Sequence, residues 1–451
     1  MIAAPALAGK RFAVLGLARS GLAAAESLLA SGAEIVAWDR QEEPRARLEG
    51  RARLVDPMEI DLAGFDGVVV SPGVPLNTHP IAEKARAAGV PVVGDIEIFA
   101  LARPDLPPHR VIGITGTNGK STTTALVHYL LSQAGIPALM GGNIGLPILG
   151  QEPLPQGGVY ILELSSYQLD LTCSLACDAA ALTNITPDHL DRYDGFEAYA
   201  HSKSRLFTMQ SPEQFAVFGC DDAPTRAIRD AEAARRRDGR AVCCDPQLVA
   251  PLQPGWRSLQ GPHNLQNAAI AAWLCAEIGL SNEVIAGGLA TFTGLAHRME
   301  FLGVAGDVIF INDSKATNTA ATAPALAAYP PARDPRIHWI VGGLPKEDGL
   351  GECDRYLGNI AAAYTIGEAG PRFAELLEGR VKVERCEMMC TAVQSAIAAA
   401  KPGDVVLLSP ACASFDQFRD YEARGDAFRE VVASLTGATA EREGLAARSA
   451  A

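Results

Sequence analysis

The chain has 451 residues, room for about three domains of ordinary size. Apolar residues make up 48% and charged residues 20%, enough to build folded cores throughout. The net charge of −13 argues against nonspecific nucleic-acid binding, which needs a basic face to displace counterions, yet it leaves room for local anion sites. The apolar start Met1 to Gly9 has no basic lead, so no signal peptide is expected. No stretch approaches the ~18 to 20 uninterrupted apolar residues of a membrane span. A cytoplasmic protein without membrane insertion is expected. The ten cysteines include one adjacent pair, Cys243–Cys244, and no Cys-x-x-Cys. They read as ordinary buried thiols, not as a disulfide framework or a metal site.

In chain order, Phe12-Ala13-Val14-Leu15 predicts a buried parallel strand. Gly16 to Gly21 then turns into an Ala-rich helix over Leu22–Ala30, and a second strand, Ile35–Trp38, ends at Asp39. This is a βαβ unit with a Gly-rich first turn, although Gly16-x4-Gly21 departs from the dinucleotide fingerprint Gly-x-Gly-x-x-Gly. A third strand, Gly67–Val70, leads into Ser71-Pro72-Gly73, and the Pro-rich segment 103–108 closes a first domain. The next unit comprises a strand at 111–114, a Gly loop and a helix over about Ser121 to Ala134. Strands at 159–163 and 180–184 and an Ala-rich helix at 264–280 follow, with a boundary expected near Phe301–Val304. Strands at 308–311, 337–341, 363–366 and 405–408 then alternate with helical segments, and residues 437–451 read as a frayed polar tail. The alternation predicts a mostly parallel α/β protein of three domains, 1–107, 108–302 and 303–451.

The chemistry begins at Gly116-Thr117-Asn118-Gly119-Lys120-Ser121, between a strand and a helix. Backbone N–H groups and the positive helix end suit a phosphate, Lys120 can reach the β- and γ-phosphates, and Ser121 can offer its hydroxyl to Mg²⁺. The generic phosphate loop would place a glycine at 114, where Ile stands, so this loop is a tighter variant. Glu163 ends a buried strand and suits Mg²⁺. Another strand end carries Asn184 through Asp191, in which His189 lies between Asp188 and Asp191. Lys203, in the helical segment 199–207, reads by composition as a solvated lysine. The polar turn Asn312 to Asn318 after a strand is costly to bury without a ligand. The segment Ser409 to Phe418 also leaves a strand end, and its Cys412 reads as a packed thiol.

Together and in this order, these motifs resemble the Mur ligases of peptidoglycan synthesis. The carriers are Gly116–Ser121, Glu163-Leu164-Ser165-Ser166-Tyr167-Gln168, His263-Asn264-x-x-Asn267 and Asn312 to Asn318, and the resemblance spans nearly the whole chain. Gly141-Gly142-Asn143-Ile144-Gly145, the 184–193 segment and Ser409 to Ser414 resemble the member that adds D-glutamate to UDP-N-acetylmuramoyl-L-alanine. The resemblance implies a Rossmann-like N-terminal domain for the UDP group, a central phosphate-loop ATPase domain and a Rossmann-like C-terminal domain bringing the amino acid. It implies ATP and two Mg²⁺ ions, with Ser121, Glu163, His189 and a carbamylated Lys203 as metal ligands. Lys120, His189 and Lys203 are then the catalytic group. The ATP contacts implied are Gly116, Thr117, Asn118, Gly119, Lys120, Ser121 and Thr122, with Asn267 and Asp313 at adenosine and Arg298 on the phosphate side. Lys315, Thr317, Lys346, Ser414 and Tyr421 are implied to line the D-glutamate site. Ser71, Pro72, Gly73, Asn143 and His189 are implied to serve the UDP-muramoyl substrate, with Arg19, Ser20, Asp39 and Arg40 near the uridine. A monomer with small-molecule partners is expected. Three rivals stay open from sequence: a sister amide ligase such as another Mur step or folylpolyglutamate synthetase, a nucleotide-dependent binding ATPase, and an NAD-dependent oxidoreductase built on Gly16–Asp39.

Overall fold

The computed structural model describes residues 1–189 and 191–437. Leu190 and all but the first residue of the expected tail lie outside the described residues. Three sheets carry the chain. The first comprises β1 (Arg11–Leu15), β2 (Glu34–Trp38), β3 (Arg53–Leu54), β4 (Gly67–Val70) and β5 (Val92–Val93), in the order β3-β2-β1-β4-β5 and parallel throughout. The second comprises β6 (His109–Thr115), β7 (Ala138–Gly142), β8 (Gly158–Glu163), β9 (Ala179–Leu182), β10 (Phe215–Phe218) and β11 (Ala241–Cys243). Its order is β11-β10-β9-β6-β8-β7, also parallel. The third comprises β12 (Glu300–Ala305), β13 (Val308–Asn312), β14 (Ile337–Gly342), β15 (Ile360–Ile366), β16 (Val383–Glu387) and β17 (Val405–Leu408), in the order β12-β13-β17-β14-β15-β16. Here β12 and β13 form an antiparallel pair and the other pairings are parallel. Residues 301–304 therefore belong to a hairpin strand.

The strands are continuous apolar runs because helices cover both faces of each sheet. In the third sheet, Trp339 and Leu407 point into one core and Ile340 and Leu408 into the other. The described chain forms two compact units: Met1–Leu248 with Gln266–Gly288, and Val249–Leu265 with the segment from Leu289 onward. The first unit holds the first two sheets. Between them the helix Asp95–Ala102 is buried on nearly every side, and Phe99 meets Tyr160 edge-on at 5.1 Å.

Two local expectations need correction. The first helix begins at Arg19, not Leu22, so Gly21 lies within its first turn. A Cβ at Gly21 would stand 2.0 Å from the Gly16 carbonyl oxygen and 2.4 Å from the Ser71 hydroxyl, so glycine lets the helix press onto the turn below it. The cysteines are not all buried thiols: Cys220 and Cys243 form a disulfide, and Cys173 and Cys390 are exposed. Sequence spacing missed the bond because parallel pairing of β10 with β11 brings together cysteines 23 residues apart.

Candidate active site

The phosphate loop sits where β6 meets the helix Lys120–Gln133, with β8 and β9 on either side of β6. Two glycines in it are obligatory. Gly116 has φ +142°, and a Cβ there would lie 1.9 Å from the Thr183 hydroxyl; Gly119 has φ +86°, and a Cβ there would lie 2.3 Å from Asn267 Oδ1. The strand expected to run to Asn184 ends at Leu182, and the residues beyond it clasp the loop. Asn184 accepts from Thr117 N through its carbonyl (2.8 Å) and from Asn118 N through Oδ1 (2.9 Å), and donates back to the Asn118 carbonyl (3.0 Å). The Thr183 hydroxyl donates to the same carbonyl at 2.6 Å. Lys120 Nζ donates to the Gly116 and Thr117 carbonyls, and Ser121 and Thr122 lie half-buried on the first helical turn.

Glu163 ends β8 beside Ile114 of β6. It is 2% exposed, its Oε1 accepts from Asn143 Nδ2 at 2.8 Å, and its buried Oε2 has no partner among the described residues. An orphaned carboxylate oxygen next to a phosphate loop suits a divalent cation. Among the described residues no group of three or more His, Cys, Asp or Glu is placed to hold a metal.

Lys203 departs most from its composition-based reading. It is 1% exposed on the helix Phe196–Thr208. Its Nζ donates to the Gly116 carbonyl at 2.7 Å and stands 4.5 Å from the centre of the Tyr199 ring. Burial, and then the charge of Lys120, pull its pKa down to about 7, so much of it is neutral at physiological pH. Tyr199, to which sequence reasoning gave no role, touches the loop: its hydroxyl meets Thr117 Oγ1 at 3.1 Å. His189 has φ +54° and a half-exposed ring, 3.5 Å from the Asp188 carboxylate and 5.1 Å from the Tyr167 ring.

The residues expected on the uridine side gather at the C-terminal ends of β1, β2 and β4, where doubly wound sheets bind ligands. Asp39 accepts from Leu17 N at 2.6 Å and from Gln41 N at 2.9 Å, and Ser71 Oγ donates to the Gly16 carbonyl at 2.8 Å. Arg19 donates to the Gly145 carbonyl at 2.7 Å, in the segment that also carries Asn143. Ser20 is half-buried, Arg40 is exposed, and Pro72 and Gly73 form the turn after β4.

The second unit holds its own cluster. Asp313 follows β13 and is buried; its carboxylate accepts from Ser409 Oγ at 2.7 Å and from Met299 N at 3.1 Å. Burial drives its pKa up to about 7, against the lowering effect of those bonds and of Arg298. Lys315 Nζ lies 4.2 Å over the Tyr421 ring, and burial lowers its pKa. Lys346 Nζ donates to Thr317 Oγ1 at 3.0 Å. Ser414 is buried, and its carbonyl accepts from Gln417 N and Phe418 N. The residue that unites these segments is Arg424, 1% exposed, which gave no periodic or motif signal in sequence. It donates to Ser314 Oγ (3.0 Å), the Ser314 carbonyl (2.8 Å), the Cys412 carbonyl (3.0 Å) and the Ala413 carbonyl (3.1 Å). It thereby ties the turn bearing Lys315 and Thr317 to the one bearing Ser414. Cys412 is a packed thiol, its pKa pushed up to about 12 by burial.

A Gly-rich strand-to-helix loop flanked by a buried carboxylate and a buried amine of lowered basicity suits phosphoryl transfer. Family models agree in chain order: a MurD-like Mur ligase N-terminal domain matches residues 10–94, a Mur ligase middle domain 114–238, and a Mur ligase glutamate ligase domain 297–412. The chain is 64% identical to the UDP-N-acetylmuramoylalanine–D-glutamate ligase of Novosphingobium aromaticivorans, over 96% of this chain and 97% of that one. It is 58% identical to the same ligase of Sphingopyxis alaskensis, over 96% and 100%. A solved UDP-N-acetylmuramate-alanine ligase from Thermotoga maritima shares the fold, with a TM-score of 0.55 at 16% identity over 95% of this chain and 100% of that one. The chain belongs to the Mur ligases, a family of ATP-dependent enzymes. Within them its place is among the UDP-N-acetylmuramoylalanine–D-glutamate ligases.

Proposed function

We infer that this chain adds D-glutamate to UDP-N-acetylmuramoyl-L-alanine in peptidoglycan synthesis, splitting ATP to ADP and phosphate. The observation that carries the phosphoryl-transfer step is the phosphate loop with Lys120 folded over it, beside the orphaned oxygen of Glu163. An amine does not displace oxide from a carboxylate, so activation precedes amide formation. The muramoyl-alanine carboxylate attacks the γ-phosphorus, giving an acyl phosphate and ADP; the D-glutamate amine then attacks that carbonyl and phosphate leaves. Catalysis of the first step is chiefly positioning and charge neutralisation, which the loop amides and Lys120 provide.

Glu163 and the Ser121 hydroxyl fit one Mg²⁺. His189 and Lys203, the latter as a carbamate, fit a second. Such ions, when bound, screen the triphosphate from an anionic nucleophile. Carbamylation requires a neutral amine, and the lowered pKa of Lys203 supports that assignment. Asn267, packed against Gly119, and Asp313 are assigned to the adenosine, and Arg298 to the phosphate side. Lys315, Thr317, Lys346, Ser414 and Tyr421 are assigned to D-glutamate. Arg19, Ser20, Asp39, Arg40, Ser71, Pro72, Gly73, Asn143 and His189 are assigned to the UDP substrate.

A panel of acceptor and amino-acid pairs, read by phosphate release, tests the reading. D-glutamate with UDP-N-acetylmuramoyl-L-alanine is expected to give turnover. Its silence alongside turnover with another pair would refute the assignment, and ATP turnover indifferent to every amino acid would favour a binding ATPase. Lys203→Ala is expected to be inactive and to be partly restored by short carboxylates; an unimpaired variant removes Lys203 from the site.

A further inference from the structure

We propose that Cys220 and Cys243 are a thiol–disulfide exchange site, acted on by low-molecular-weight thiols and disulfides, whose state sets how tightly the nucleotide is held. The nucleotide part rests on the assignment of Asn267 and the Gly116–Ser121 loop to ATP.

The bond joins Cys220, two residues past β10, to Cys243, the last residue of β11. Both residues are half-buried, not sealed in the core. β11 is the outermost strand of its sheet, three residues long and half-buried throughout. Such an edge has little packing of its own, so a covalent tie to β10 contributes disproportionately to its order.

What makes the position consequential is the loop that Cys220 opens. Its neighbour Asp221 accepts from Gln266 Nε2 at 2.9 Å, and Gln266 directly precedes Asn267 on the helix Pro262–Ile278. There is no slack beneath it: a Cβ at Gly219 would stand 2.1 Å from the Thr183 carbonyl oxygen and 2.8 Å from Gln266 Nε2. The next residue, Asp222, accepts from Ile185 N at 3.1 Å and caps the helix Ala223–Arg235 through Thr225 N at 2.7 Å. Ile185 follows Asn184, the residue that clasps Asn118 of the phosphate loop. One end of the disulfide thus lies within two residues of a hydrogen bond to the adenosine-side helix and of one to Ile185, the neighbour of the residue that clasps the phosphate loop.

Cys173 and Cys390 are exposed but form no disulfide, and the buried thiols are poorly suited to exchange. Cys244, next to Cys243, is buried and its pKa is pushed up to about 12, and burial raises Cys177 to about 12 as well. In the reductive direction, a thiolate attacks one sulfur of the bond, forms a mixed disulfide and releases the other cysteine. A second thiolate then resolves the mixed disulfide. Two electrons and two protons are taken up overall, and the small thiol leaves as its own disulfide. A small disulfide such as oxidised glutathione runs the sequence backwards. In the dithiol state β11 and the 220–222 loop are tied only by non-covalent bonds, and part of the nucleotide's binding free energy goes into ordering them.

The test treats the whole enzyme with reduced or oxidised glutathione, removes the reagent, and maps disulfides by non-reducing peptide mass spectrometry. KM for ATP is then measured at saturating acceptor and D-glutamate. The expected result is a Cys220–Cys243 crosslinked peptide only after oxidation. KM for ATP is expected to be about fivefold or more higher in the reduced enzyme, the low end of ordinary coupling between sites, with kcat nearly constant. Cys220→Ser and Cys243→Ser should each show the reduced KM under both treatments. Absence of the crosslinked peptide, an unchanged KM, or a redox response persisting in either variant overturns the proposal. If one variant does not fold, the other variant and the wild-type map decide. Failure of ATP turnover with every acceptor pair would instead sink the ligase reading and leave the mapping result standing.

Discussion

Lys203→Met separates the stability of the site from its chemistry. The substitution keeps an unbranched apolar stem and removes the buried amine. The folded pKa is about 7 against an ordinary 10.5, and each unit is 1.36 kcal/mol, so the buried ammonium costs on the order of 5 kcal/mol below pH 7. The unfolded chain holds this proton up to about pH 10.5 while the folded one releases it near 7. Stability therefore rises with pH across that window and is lowest below it. Met carries no such dependence, but it loses a charge-assisted bond to the Gly116 carbonyl worth about 1.5–3 kcal/mol. The variant should accordingly be more stable than the parent by about 2–3 kcal/mol near pH 6.5, and this margin should shrink by about 2 kcal/mol from pH 7 to 9. Urea unfolding in chelator and carbon-dioxide-free buffer measures it. Turnover, assayed separately with Mg²⁺ and bicarbonate, should fall about a thousandfold or more if several kcal/mol of charge neutralisation pass through this side chain. A stability margin that does not vary with pH, or a variant with parental turnover, would refute the reasoning.

Gly119→Ala places a Cβ 2.3 Å from Asn267 Oδ1 at a left-handed backbone position, and affinity for a fluorescent ATP analogue should drop by about tenfold or more. Equal affinity would mean that this contact does not shape the nucleotide site. Arg424→Met leaves the acceptors of four hydrogen bonds without their donor, and thermal unfolding should register a loss of about 3 kcal/mol together with a raised KM for D-glutamate. An unaltered melting curve would deny Arg424 its tying role. Asp313 keeps its proton in the folded state up to about pH 7, whereas the unfolded chain loses it near 3.8, so its contribution to stability declines as pH rises through that window. Asp313→Asn should remove that slope from the stability–pH profile, and a profile superimposable on the parent's would contradict the burial argument.

Much of this was legible in the chain itself. The strands Phe12–Leu15, Gly67–Val70, Ile337–Val341 and Val405–Leu408 appear where apolar runs predicted them, because a strand buried on both faces leaves a local compositional mark. The Gly116–Ser121 loop was legible for a related reason: glycines at positive φ and a helix start are both local features. Helix starts shifted by a few residues where packing decided them, as at Arg19, where Gly21 admits a close approach from Gly16 and Ser71. The chemistry of single side chains was the least local property. Lys203 reads as a solvated helix lysine, and only the packing of its helix against Gly116 and Tyr199 makes it a buried amine of lowered basicity. Arg424 and the Cys220–Cys243 pair are likewise silent in sequence, since their partners are supplied by segments remote along the chain. Sequence by itself determined the elements, the loop and the family; tertiary structure decided which polar side chains lose their water, because desolvation depends on everything packed around a group and not on its neighbours in the chain.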